Sequence, residues 1–187
     1  MNYPSNIIKR TKQAVSYGNR GMDLEHCLNE SNVFYEEENR ALIYKKPTPI
    51  GVVDVHYSSR GKVIDKAYFK SPSTLDYNGL YRGKYIEFEA KETKHGTSFP
   101  LSNIHPHQIR HIQKVLDHGG IVFLVVKIQS NVYLLDGQVF LDFIQSSKRQ
   151  SIPYSYFLEK GHKIVEKINP PLDYLSVVDK IYFGGML

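Results

Sequence analysis

The chain runs to 187 residues, 41% hydrophobic and 23% charged, a balance expected of one globular domain and unlike that of a disordered or collagen-like chain. Its single cysteine, Cys27, excludes an internal disulfide and a thiol-rich zinc site, which fits the reducing cytoplasm. Lysine plus arginine number 24 against 19 aspartate plus glutamate, a formal +5 that favours a polyanionic partner, while nothing in residues 1–20 or in Ile121 to Ile128 reads as a leader or a bilayer span, so no membrane association is expected.

Residues 1–20 carry Lys9, Arg10, Lys12 and Arg20 without an acid and read as a flexible basic arm, leaving residues 21–187 as a single domain. Leu24, Cys27, Leu28 and Tyr35 recur at three- to four-residue steps, which predicts a helix that ends in solvent at Glu36-Glu37-Glu38; Ala41 to Tyr44 follows as a strand. Lys45-Lys46-Pro47-Thr48-Pro49 leads into β-rich Ile50 to Tyr57, a polar turn Ser58-Ser59-Arg60-Gly61, and β-rich Lys62 to Lys70. That pattern predicts a long hairpin insertion over about 45–73. It holds Lys45, Lys46, Arg60, Lys62, Lys66 and Lys70 against Asp54 and Asp65, with Tyr57, Tyr68 and Phe69 between them. Such a ribbon suits phosphates and stacked bases; equally, its lysines can be plain guards of exposed strand edges.

Thr74 to Asn78 and Tyr85 to Thr93 read as strands joined through Gly79 and Gly83, and Ile104 to His118 as a helix stopped by Gly119-Gly120. Ile121 to Ile128, apolar but for Lys127, is expected to be a buried strand, with Val132 to Leu135 its partner. Shorter helices at about Val139 to Gln145 and Leu172 to Phe183, set apart by Pro153 and Pro170-Pro171, complete an α/β domain.

Alternation along Tyr85 to Lys91 sends Ile86, Phe88 and Ala90 to one face and Glu87, Glu89 and Lys91 to the other. On the preceding strand Thr74 and Asp76 share a face, so Thr74, Asp76, Glu89 and Lys91 can converge. Asp76 and Glu89 then offer hard oxygen ligands for Mg²⁺, which prefers one or two carboxylates plus substrate phosphate, and Lys91 an ammonium for charge gathering on phosphorus. The chemistry would be phosphodiester hydrolysis. The same alternation also describes a solvated strand with surface ion pairs. On the following helix Gln108 lies near the stripe of Ile109, Ile112, Val115 and Leu116, so its amide needs a partner: either the metal shell, directly or through water, or a backbone group. His107 points away from that stripe.

Asp76 followed by Glu89-Ala90-Lys91 resembles the Pro-Asp…Asp/Glu-x-Lys nuclease superfamily. The longer strings Tyr17-Gly18-Asn19-Arg20-Gly21-Met22, Lys45-Lys46-Pro47-Thr48-Pro49, Asp76-Tyr77-Asn78-Gly79, Phe88-Glu89-Ala90-Lys91-Glu92-Thr93-Lys94 and Thr97-Ser98-Phe99-Pro100-Leu101 resemble the RecU family of Holliday-junction resolvases of Gram-positive bacteria. The resemblance implies a restriction-endonuclease-like core, a central mixed β-sheet flanked by helices, with the hairpin as a protruding stalk that enters the junction. It implies magnesium at Thr74, Asp76, Glu89 and Gln108, transition-state stabilisation by Lys91, and catalysis by Asp76, Glu89 and Lys91. It further implies a homodimer that makes paired nicks in a four-way DNA junction during recombination and repair, alongside strand-exchange and branch-migration proteins. DNA contacts are expected from Arg20, Lys45, Lys46, Arg60, Lys62, Lys66, Lys70, Tyr57 and Tyr68. Leu75 stands where the superfamily name has proline. Glu87 adds a carboxylate that can bind a second metal or tune Lys91, and Glu25 sits where related resolvases often carry an acidic site residue.

His105, His107 and His111 lack a third soft ligand and are read as surface or DNA-contacting residues, and Ser98 and Ser102 lack nucleophile-elbow glycines. Two rival readings stay open on sequence alone: a sequence-specific restriction-type nuclease on the same core, and an architectural junction-binding protein that cuts nothing.

Overall fold

The computed structural model describes residues 23–59, 61–70 and 74–185. The basic arm 1–20, with Arg20, and the turn residue Arg60 lie outside the described residues. Along the chain run α1 (Leu24–Glu37), β1 (Leu42–Lys45), β2 (Ile50–Ser58), β3 (Gly61–Phe69), β4 (Tyr77–Tyr81), β5 (Lys84–Thr93), β6 (Ser98–Pro100) and α2 (Pro106–Asp117). Then come β7 (Ile121–Ile128), β8 (Asn131–Asp136), α3 (Gly137–Ser146), β9 (Ser151–Pro153), α4 (Tyr154–Lys160), β10 (His162–Lys163) and α5 (Tyr174–Tyr182).

Six strands form one mixed sheet in the order β1-β4-β5-β7-β8-β10. Only β5 and β7 run parallel, because the connection between them carries α2 across the sheet; the other neighbours are antiparallel. This is the helix-flanked mixed sheet expected from the sequence. The two sheet faces bury different residues. Ile86, Phe88, Phe123 and Val125 pack toward Leu28 and Tyr35 of α1 and Tyr174 and Val178 of α5. Val122, Leu124 and Val126 pack toward Ile112 of α2, Phe140 of α3 and Phe157 of α4. Phe88 is stacked between Tyr77 and Phe123, with ring centroids 4.7 and 4.9 Å apart, which pins the centre of β5.

The hairpin β2–β3 is a separate two-stranded sheet that leaves the domain between β1 and β4. Nearly all its residues are exposed, Val53, Tyr57 and Phe69 most of all.

Two local expectations are corrected. The strand expected over Thr74 to Asn78 begins only at Tyr77, which pairs with Phe88. Before it, the N–H groups of Leu75 and Asp76 donate to the carboxylates of Glu87 and Glu89 at 3.2 and 3.1 Å, so side chains rather than a neighbouring strand satisfy this stretch. Gly79 is likewise no turn residue. The β4–β5 turn is made by Arg82 and Gly83, both at positive φ, whereas Gly79 lies opposite Ile43 in β1, where an added Cβ would stand 1.9 Å from the Leu42 carbonyl oxygen. Gly79→Ala is therefore expected to lower unfolding free energy by about 1–3 kcal/mol, read from the denaturant midpoint. The sequence reading also missed α4, which is short and buries only Phe157.

Candidate active site

The site is assembled from three pieces of chain: the approach to β4, the middle of β5 and the first turns of α2. Because Glu87, Glu89 and Lys91 alternate on the β5 face that α2 partly covers, the two glutamates are fully buried while Lys91 keeps contact with solvent. Lys91 pairs with Glu89 and lies 3.6 Å from Asp76 Oδ2. Asp76 Oδ2 in turn accepts from the Ala90 N–H at 3.3 Å. Asp76, Glu89 and Lys91 are thus brought together. Thr74 lines the same cleft of about 560 Å³, beside Asp76, Lys91 and Glu25.

Burial, followed by the charge of Asp76, pushes the Glu89 carboxyl up to about 7, although Lys91 and Gln108 pull the other way. Burial works against the charge of Lys91, but the ion pairs with Glu89 and Asp76 outweigh it and hold its pKa above the ordinary lysine value. Two carboxylates compressed in this way favour a cation between them.

Gln108 is buried, as its place near the apolar stripe implied, and its Nε2 donates to Glu89 Oε1 at 2.6 Å. Its oxygen accepts the His105 N–H at 2.9 Å, closing a capping box at the start of α2. The amide therefore has both kinds of partner, backbone on one side and the acidic centre on the other; offering its oxygen to a metal requires turning the amide end for end.

Glu25 is exposed on α1 and forms an ion pair with Lys45 at the cleft mouth. Glu87 is held by Lys46, His111 and Tyr85. Burial alone would raise its pKa, but those donors, Lys46 foremost, set it below the ordinary carboxylate value. Lys45 and Lys46 thus direct their charges onto carboxylates, while Lys62, Lys66 and Lys70 extend along the exposed hairpin. Tyr57 is 77% exposed, with the Lys62 ammonium 5.4 Å above its ring, and Tyr68 is 57% exposed.

His111, expected as a surface or DNA-contacting residue, is instead half-buried against Glu87. It lies three residues after Gln108, so one helix face presents Gln108 to Glu89 and His111 to Glu87, the latter at 2.9 Å. That i, i+3 spacing opposite Glu87-x-Glu89 was the available signal. His107, expected in solvent, is only half exposed, and its Nε2 is buried without a hydrogen-bond partner among the described residues.

Fold and site together define a mixed α/β protein whose sheet holds an Asp…Glu-x-Lys centre at the foot of a cationic hairpin. The chain belongs to the RecU family: residues 19–180 match the family described as RecU, Recombination protein U. It is 48% identical over 196 residues to the Holliday junction resolvase RecU of Oceanobacillus iheyensis, covering 98% of this chain and 100% of that one. It is 49% identical over 196 residues to the Holliday junction resolvase RecU of a Geobacillus species, covering 97% of this chain and 98% of the relative. Among solved structures, Hjc of Archaeoglobus fulgidus, a Holliday junction resolvase, matches at 13% identity and a TM-score of 0.40 over 82% of this chain and 98% of that one.

Proposed function

We propose that this protein is a Holliday junction resolvase, a magnesium-dependent endonuclease that captures a four-way DNA junction and nicks two of its strands during recombination and repair in the cytoplasm. The observation that carries the reading is the gathering of Asp76, Glu89 and Lys91 at the foot of the basic hairpin, Asp76 and Lys91 lining the cleft and Glu89 buried against Lys91. The names of its relatives support the substrate.

The donor set fits magnesium. No group of three or more His, Cys, Asp and Glu side chains suited to hold a metal ion occurs among the described residues, and a hard ion that keeps most of its waters needs no such cage. Asp76 and Glu89 would hold it, with Thr74 nearby as a further oxygen donor and Gln108 joining only by turning its amide end for end. The chemistry such an ion supplies is polarisation of a phosphoryl oxygen and acidification of water. Lys91 keeps its proton, and its ammonium faces the cleft to offset charge developing on phosphorus. The Gln108 amide and the Asp76 N–H fix the two oxygens of Glu89. Lys91→Met is expected to slow cleavage by about 10²–10³-fold in a single-turnover assay while leaving junction affinity nearly unchanged.

A homodimer follows from the substrate's symmetry, since an isologous pair presents one site to each of two related strands. A two-stranded hairpin with exposed valines and aromatics is also marginal by itself, and suits a ribbon completed by DNA or a second subunit. Strand-exchange and branch-migration proteins belong to the same setting.

The test is cleavage of a mobile four-way junction and of a linear duplex of matched sequence, in Mg²⁺ and in EDTA. Paired nicks in the junction alone, and only with Mg²⁺, support the reading. Equal cutting of the duplex would make the protein a restriction-type nuclease, and a bound but uncut junction an architectural one.

A further inference from the structure

Glu87 is given no role in the hydrolysis proposed above, yet it is the most heavily hydrogen-bonded carboxylate near the site. Its Oε1 accepts from Lys46 Nζ and from the Leu75 N–H at 3.2 Å; its Oε2 meets Tyr85 Oη at 2.8 Å and His111 Nε2 at 2.9 Å. A carboxylate has about four lone-pair sites, and here all are engaged. A second metal could be bound only by displacing one of these partners.

The partners occupy telling places. Lys46 precedes Pro47 where the chain leaves β1 for the hairpin, and Leu75 lies where the chain returns from it, next to Asp76. The same two feet are joined directly, Lys46 N–H donating to the Asp76 carbonyl at 2.8 Å. From the other side, α2 contributes His111 to Glu87 and Gln108 to Glu89. One buried oxygen therefore holds the outgoing and incoming strands of the hairpin against the strand that bears Glu89 and Lys91. The geometry points to Glu87 as a positioning residue that clamps the two feet of the hairpin and so sets Asp76 in place for catalysis, coupling the seating of the hairpin on DNA to the acidic centre.

Lys46 then acts chiefly as an anchor, its ammonium turned onto Glu87, and less as a phosphate contact. Truncating one partner of a buried charge pair strands the other, so removing either charge disturbs the same joint. The two changes must be non-additive.

The cleavage arm of the test rests on the resolvase reading; a hydrogen-exchange arm does not. Wild type, Glu87→Gln, Lys46→Met and the double variant are compared by single-turnover cleavage of a four-way junction in Mg²⁺, by junction Kd in EDTA, and by hydrogen exchange of peptides covering residues 44–48, 74–78 and 121–128. Each single variant is expected to cut about tenfold or more slowly, the double variant no more than about twofold slower than the worse single, and Kd to stay within about threefold. Exchange should quicken at 44–48 and 74–78 while 121–128 stays protected, a split that general loosening of the core cannot produce. Lys46→Met leaves Glu87 its three other partners and carries the test if Glu87→Gln does not fold. The proposal is overturned by additive losses, by unchanged exchange at the two feet, by faster exchange in all three peptides together, or by a Lys46→Met defect confined to Kd. A wild type that cuts no junction contradicts the resolvase reading, and the exchange pattern still decides whether Glu87 clamps the hairpin.

Discussion

Asp76→Asn and Glu89→Gln are each expected to reduce junction cleavage by about 10²–10³-fold or more, while junction affinity without divalent metal shifts by no more than about 0.5 kcal/mol. The two effects separate because both carboxylates are gathered on Lys91, whereas the cationic length of the hairpin lies outside that cluster. Stability should not follow activity. Burial and the neighbouring Asp76 raise the Glu89 carboxyl from 4.5 to about 7, so the folded state holds a proton more tightly than the unfolded chain does. Stability from this group is full below pH 4.5 and is lost as pH rises through about 7. At pH 8 without metal the charged Glu89 is therefore a burden, and Glu89→Gln should melt at or above the wild-type temperature. Parallel loss of cleavage, binding and thermal stability in both variants would mean that these carboxylates support the fold rather than the reaction.

Neutralising Lys62, Lys66 and Lys70 together should weaken junction binding and flatten its dependence on salt. Each phosphate left without its lysine lowers the slope of log K against log salt by about 0.9 for duplex DNA, so the triple variant should show a slope shallower by up to about 2.7. Lys45 and Lys46 should contribute less to that slope because Glu25 and Glu87 engage their ammonium groups. Tyr57→Ala tests stacking separately: a cost of about 1–3 kcal/mol that is insensitive to salt marks base stacking. Titrations of fluorescent junctions over a range of salt read both effects, and an unchanged slope in the triple variant would remove the hairpin from the DNA interface.

Much of the sheet was legible because burial leaves a clear mark on sequence. Ile121 to Ile128 is apolar but for Lys127 since helices cover both its faces, and it appears as β7 with those ends. The hairpin was equally plain from two β-rich runs around Ser58 to Gly61. The alternation of Tyr85 to Lys91 placed Glu87, Glu89 and Lys91 on one face, but could not tell a solvated face from one covered by α2. Polar residues read alike in both places until their partners are known. For the same reason the stretch before β4 was mistaken for strand: its N–H groups are satisfied by Glu87 and Glu89, a long-range arrangement without local periodicity. His111 shares with Gln108 a spacing that matches Glu87-x-Glu89, but the match became meaningful only once α2 was laid across β5.

Hydrolysis at this cleft requires Asp76 and Glu89 to form one cation-binding centre, and calorimetric titration with Mg²⁺, or with Mn²⁺ as a tighter probe, addresses that most directly. Wild type should bind the ion, while Asp76→Asn and Glu89→Gln should each weaken binding at least about tenfold, with the double variant little worse than either alone because both remove ligands of the same ion. Binding of equal strength in all four proteins would show that the ion is held elsewhere and that this cleft is not the catalytic centre.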